Sequence, residues 1–254
     1  MAENGGPSGN SVLLKDSPKP LYMQLEELLR AEIVSGEYTA NQMIPSEVEL
    51  SRRFGISRMT ARAVVTQLVQ EGLLHRVQGK GTFVVEPKIE AKSLAYQGIR
   101  EQLESMGYSI DTKLLEFKTI PADVQLARVF SVPRDEPLLF VKRLRSVEGT
   151  PISLHTSYMP QALCPSVNQE RLIDEQLCVI LAQDYNLTAS SVVETLESSQ
   201  ASTSEAKHLG VERRFPLLLL TDTYRAGSGR IFEHTKVLFR GDKVKLQFEY
   251  GPNR

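Results

Sequence analysis

At 254 residues the chain is long for one small domain and suits two modest ones, and its 41% apolar content lets each bury a core. A net charge of −1 excludes a general polycation, so any nucleic-acid partner has to be met by a local basic surface. Cys164 and Cys178 have no metal-ligand spacing and read as free thiols, and no run of about 18 apolar residues reads as membrane-spanning.

The first residues lack the basic-then-apolar order of a signal peptide, so the expectation is a cytoplasmic protein. Residues 1–17, rich in Gly, Ser and Asn, read as a mobile tail. From Leu21 to Ser35, the residues Tyr22, Leu25, Leu28, Leu29 and Ile33 form one helical stripe, and Gly36 supplies a stop. Ser46 is a helix cap with Glu49 at the third position, a capping box, and this helix runs to Phe54 before the tight turn at Gly55. Ser57 caps the next helix, which turns Ala61, Val64, Val65 and Leu68 inward and carries Arg58 and Arg62, four apart, on another face.

Two short strands, Leu74 to Val77 and Thr82 to Val85, follow; Gln78, Gly79, Lys80 and Gly81 join them and put a lysine at the tip. Arg52, Arg53, Arg58, Arg62, Arg76 and Lys80 fall in one stretch whose only acid is Glu71. A generic three-helix core would explain the helices alone. Capped tandem helices, exposed arginines at helical spacing and a glycine hairpin with a basic tip together predict a winged helix-turn-helix, which places its second helix in the major groove of double-stranded DNA.

Residues 18–86 make up this head, and 87–93, with Pro87 and alternating charges, read as a linker. Over 94–252 helices and strands are interspersed. Helices are expected at Leu94 to Met106, Ala122 to Phe130, Ile173 to Tyr185 and Thr203 to Leu209. Strands are expected at Thr112 to Thr119, Leu138 to Ser146, Ile152 to Met159, Ser190 to Ala201, Pro216 to Ala226, Arg230 to Arg240 and Lys245 to Tyr250. Short turns such as Glu148-Gly149-Thr150 join antiparallel neighbours, so the fold class is α+β, with a mainly antiparallel sheet and helices packed on it.

Arg143 and Arg145, two apart in a strand, leave the same face and can hold a phosphate, sulfonate or carboxylate. By spacing alone, a solvated strand or an internal ion pair is an equal reading. His155 is the second candidate, and Glu233 with Thr235 the third. A three-residue turn at Glu148 to Thr150 would set His155 opposite Arg143, whereas a two-residue turn would send it to the other face; the former is expected. Catalytic vocabulary is thin: there is no phosphate loop, no nucleophile elbow and no Cys or His cluster, and His75, His155, His208 and His234 are scattered. Neither enzymatic activity nor a cofactor or metal is expected.

The segments PLYMQLEELLRAEIVSGEY, IPSEVELSRRFGISRMTAR and LVQEGLLHRVQGKGTFV resemble the N-terminal domain of the GntR family of bacterial transcription regulators. From Ala95 to Tyr250, IPADVQLARVFSVPRDEPLLFVKRLRSVEGTPISLHTSYMP and GRIFEHTKVLFRGDKVKLQFEY resemble the UTRA effector domain of the HutC subfamily, with its chorismate lyase-like fold. The resemblance implies a homodimeric regulator, a repressor, on a pseudo-palindromic operator. Arg58 and Arg62 would contact groove and phosphates, Ser46, Ser57 and Thr60 would bind phosphate, and Gly79, Lys80 and Gly81 would carry the wing. It also implies a small anionic effector held at Arg143, Arg145, His155, Gln176, Glu233 and Thr235.

Several positions depart from the family pattern. Val48 stands where many relatives have an arginine. His155 stands where sugar-phosphate sensors have an acid, Gln176 and Cys178 where they place a serine and a tyrosine, and Phe239 in place of a tyrosine. The arginine pair thus points to an anionic effector, and its altered company points away from an amino-sugar phosphate.

Overall fold

The computed structural model describes residues 13–14, 17–86, 88–92 and 98–248. The chain divides into two compact units between Pro87 and Lys88.

In the first unit, α1 (Leu21–Val34), α2 (Glu47–Phe54) and α3 (Arg58–Gln70) enclose a core of Leu25, Leu29, Leu50, Phe54, Ala61, Val64, Val65 and Leu68. The local chemistry explains the breaks. Ser46 Oγ accepts from the Glu49 N–H while the Glu49 carboxylate accepts from the Ser46 N–H, so two otherwise orphaned donors at the start of α2 are satisfied reciprocally. Gly55 closes α2 at φ 63°, a left-handed conformation that glycine adopts without steric cost. Strands β1 (Leu74–Val77) and β2 (Gly81–Val84) form the wing hairpin, with Leu74 and Val84 anchored in the helical core.

Much of the expected mobile tail lies outside the described residues, but its Leu13 is buried in this same core. The Leu14 N–H donates to Gln24 Oε1 at 2.8 Å and its carbonyl accepts from Gln24 Nε2 at 3.0 Å. An apolar side chain seated in the core holds that part of the segment against α1, a contact that its Gly-rich surroundings conceal.

The expected linker is also shortened. Within it, β3 (Ile89–Lys92) pairs in parallel with β10 (Val244–Gln247) near the far end of the sequence, and Ile89 and Ala91 are buried. Alternation of Ile89 and Ala91 with Glu90 and Lys92 is the pattern of a half-buried strand, which charge content masks.

The second unit is built on a six-stranded sheet in the order β4 (Ile110–Pro121), β5 (Pro137–Val147), β6 (Thr150–Pro160), β9 (Ile231–Arg240), β8 (Pro216–Ala226), β7 (Ala189–Gln200), with every neighbouring pair antiparallel. Helices α5 (Val124–Phe130) and α8 (Thr203–Leu209) contribute to cores with Leu138, Leu154 and Leu217. On the other face α4 (Ile99–Ser105), α6 (Arg171–Asp174) and α7 (Leu177–Tyr185) cover Val141, Val147, Met159 and Val237.

The helix expected over Leu94 to Met106 is described only from Ile99 on, and the one expected over Ile173 to Tyr185 is two helices. Glu175 and Gln176 are both extended between α6 and α7, so the backbone turns there and a new helix begins. Apolar periodicity runs through both pieces and hides the break.

Candidate functional site

On the head, Arg58 and Arg62 project from α3 into solvent and make no ion pair among the described residues. Their neighbours on the turned-in stripe explain this: Ala61, Val64, Val65 and Leu68 take the buried face, so the arginines are left on the outer one. Ser57 Oγ accepts from the Thr60 N–H at 3.0 Å and lies 2.8 Å from Thr60 Oγ1, grouping two hydroxyls at the start of α3, where unpaired N–H groups favour an anion. Ser46 stands at the equivalent place on α2.

The wing turns at Gln78, Gly79 and Lys80, with the Lys80 N–H on the Val77 carbonyl at 3.0 Å, Gly79 at φ 72° and Gly81 at φ 137°. A Cβ on Gly81 would stand 2.8 Å from Sδ of the flexible, exposed Met43, which can move aside, so it is the backbone conformation that favours glycine here. Lys80 is exposed at the tip. Arg76, one of the expected basic patch, is tied back to Glu47 at 2.8 Å and to Thr66 Oγ1 at 3.0 Å. Met59, between the two arginines and 71% exposed, was not singled out by sequence; an exposed methionine on a charged helix face is a signal that was available.

In the second unit a pocket of about 240 Å³ opens between the sheet and the start of α7, and Arg143, Arg145, His155, Gln176, Glu233 and Thr235 all line it. Register brings them together. Arg143 pairs with His155, which pairs with Val237; Ser157 pairs with Thr235, which pairs with Asp222. The expected placement of His155 opposite Arg143 is found, but by another route. The turn has two residues, Glu148 and Gly149, both at positive φ, with Val147 opposite Thr150. One extra residue in β6, Ile152, between Ser146↔Pro151 and Arg145↔Ser153, shifts the register back by one and returns His155 to the face of Arg143.

Both arginines are 3% exposed, and Arg143 Nε and Nη1 and Arg145 Nε have no hydrogen-bond partner among the described residues. Burial, and then the charge of Arg143, hold the Arg145 guanidinium down at about 9, and burial lowers Arg143 too, with Glu233 opposing. His155 is pushed well below the usual imidazole range by burial and then by both arginines, so it is neutral at pH 7. Its Nε2 lies 2.9 Å from Ser153 Oγ.

Gln176, at the cap position of α7, has no partner for its Nε2 among the described residues, and its amide fills the space before Gly98, where a Cβ would lie 1.4 Å from Oε1. The Thr235 hydroxyl donates to Glu233 Oε1 at 2.7 Å, and Ser157 Oγ lies 2.7 Å from Thr235 Oγ1. Burial raises the Glu233 carboxyl, while the Thr235 bond and Arg143 pull it back.

Sequence reading missed Ser157, Asp222 and Tyr224, which also line the pocket. Asp222 is 1% exposed, and burial, then Glu194 and Glu233, push its carboxyl up to about 8. An isolated acid in the apolar run of β8 was the available signal. Such a pocket offers buried donors at one end, of the kind that charge-assisted bonds to an anion use.

Residues 21–84 match the GntR family of bacterial regulatory proteins, and residues 105–245, over half of the chain, match the UTRA domain. The chain belongs to the GntR family, with a UTRA domain. This GntR/UTRA protein is 32% identical over 229 residues to the HTH-type transcriptional repressor NagR of Bacillus subtilis, covering 90% of this chain and 94% of that protein. It is 26% identical over 240 residues to the histidine utilization repressor of Klebsiella aerogenes, covering 93% and 97% respectively, consistent with the HutC type. The crystal structure of PhnF from Mycobacterium smegmatis shares its fold, with a TM-score of 0.65 at 23% identity over 91% of this chain and 99% of that one. The GntR/UTRA chain is therefore a DNA-binding transcription regulator and not an enzyme. Among the described residues no helix is long and apolar enough to cross a membrane.

Proposed function

We propose that this regulator is a cytoplasmic, homodimeric repressor whose grip on a pseudo-palindromic operator is set by a small anionic effector in the second unit. The observation that carries the effector reading is the pair of buried guanidiniums, Arg143 and Arg145, which line a pocket with N–H groups that have no partner among the described residues. Two buried cations without acceptors carry a large desolvation cost, which a bound anion would offset through charge-assisted bonds. His155, Gln176, Glu233 and Thr235 complete the effector site. The relatives named as repressors support the sign of the response.

On the DNA side, Arg62 and Arg58 read the major groove, Ser46, Ser57 and Thr60 hold phosphates, and Gly79, Lys80 and Gly81 bring the wing beside the minor groove. The exposed, apolar-dotted edge strand β7 supports pairing of the second unit with a second copy, and two linked heads gain avidity on an inverted repeat.

The test is selection of duplexes from a random pool by the full chain, followed by titration with phosphate and carboxylate metabolites. Enriched inverted repeats that are released by an anion, with release abolished in Arg143→Ala, are expected. Recovery of no preferred sequence, or anion release that persists in Arg143→Ala, would overturn the reading.

A further inference from the structure

The pocket has two unlike ends. At one, Arg143 and Arg145 on β5 present unpartnered N–H groups. At the other, Asp222 on β8 is 1% exposed and its Oδ1 has no donor among the described residues; its second oxygen has only the Tyr224 hydroxyl, at 3.5 Å. Strands β6 and β9 separate β5 from β8, so the backbones are about 14 Å apart at ordinary strand spacing. No ion pair joins the two ends among the described residues. A simple anion would satisfy the arginines and leave Asp222 Oδ1 without a donor.

Asp222 is not alone there. Glu233 lines the same pocket, and Glu194 on β7 stands directly opposite Asp222 in register. A neutral hydroxyl could donate to Asp222 Oδ1 but would do nothing for carboxyls crowded on neighbouring strands. A protonated nitrogen supplies both the missing donors and the opposing charge.

Resting on the reading of the pocket as an anion site, we infer that the effector is two-ended: its anionic group sits at Arg143 and Arg145, and a protonated nitrogen several bonds away sits at Asp222 and Glu233. Each charged group of such an effector meets side chains of the opposite sign, two guanidiniums at one end and two acids at the other. A volume of about 240 Å³ suits a small molecule of this kind.

Calorimetric titration of the full chain with matched pairs tests this: ω-aminoalkyl phosphates against n-alkyl phosphates, and ω-amino carboxylates against n-alkyl carboxylates, each of about two to five carbons. In at least one pair the aminated member is expected to bind about tenfold or more tightly, as a charge-assisted bond to Asp222 implies once the bound ammonium has favoured its ionised form. In Asp222→Asn, checked for folding by circular dichroism, that ratio collapses towards one. If every amine-free member binds as well as its aminated partner, the two-ended effector is overturned while the anion site stands. If no probe binds, inorganic phosphate included, the anion site falls as well.

Discussion

Arg62 and Asp222 show what one side chain decides. Arg62 leaves α3 on its exposed face and contributes nothing to the head's core, so Arg62→Ala is expected to fold as the parent does. Loss of one bidentate guanine contact costs about 1–3 kcal/mol, roughly five- to 150-fold in operator affinity. Fluorescence anisotropy on the selected duplex reads this, and an unchanged affinity would remove Arg62 from the interface. For Asp222 the sign follows from its raised carboxyl. Unfolded, the group titrates near about 4; folded, at about 8, so between those values the folded state holds the extra proton and stability falls as pH rises. Asp222→Asn is therefore expected to raise the melting temperature little near pH 4 and increasingly towards pH 8. A gain that does not vary with pH would mean that Asp222 is not titrating there. Arg62 was visible in sequence because helical spacing reports exposure, whereas the role of Asp222 depends on Glu233 and Arg143, which only the sheet brings into its pocket.

At the scale of elements, most of the order was legible, since caps and periodicity are local. Ser46 with Glu49, Ser57 and Gly55 mark their helix ends as read. The misreadings have non-local causes. Strand β3 forms because β10 offers it a partner over 150 residues away in sequence, as the Lys245 Nζ contact to Glu90 Oε1 also records. The placement of His155 depends on the extra residue at Ile152 that offsets a two-residue turn, and bulges leave little trace in apolar alternation. The edge strand β7 carries Val193 and Leu196 at 63% and 43% exposure, interspersed with Glu194 and Glu197. Leu196→Glu with Val193→Glu is expected to shift the protein from dimer to monomer in sedimentation velocity. A dimer of unchanged affinity would place the interface elsewhere.

For the whole molecule, the proposed relief of repression by an effector would amount to a coupling free energy between pocket and operator. Such couplings are typically about 1–3 kcal/mol and act equally in both directions. Saturating effector is expected to weaken operator binding by about five- to 150-fold, and saturating operator to weaken effector binding by the same factor. Calorimetry with and without the duplex measures both; unequal factors, or none, would contradict a coupled two-site regulator. At the junction of the units, the Val85 N–H donates to the Leu73 carbonyl in the head and the Ile89 N–H to the Lys243 carbonyl in the second unit.

Chain order alone determined the reading head, the α+β class of the second unit and the face shared by Arg143 and Arg145, because caps, helical spacing and strand alternation act over a few residues. Tertiary structure alone decided that β3 belongs to the second unit, that a bulge keeps His155 beside the arginines, and that buried cations meet Asp222 in one enclosure. Burial and charge are set by neighbours distant in sequence, and those neighbours exist only once the sheet has formed.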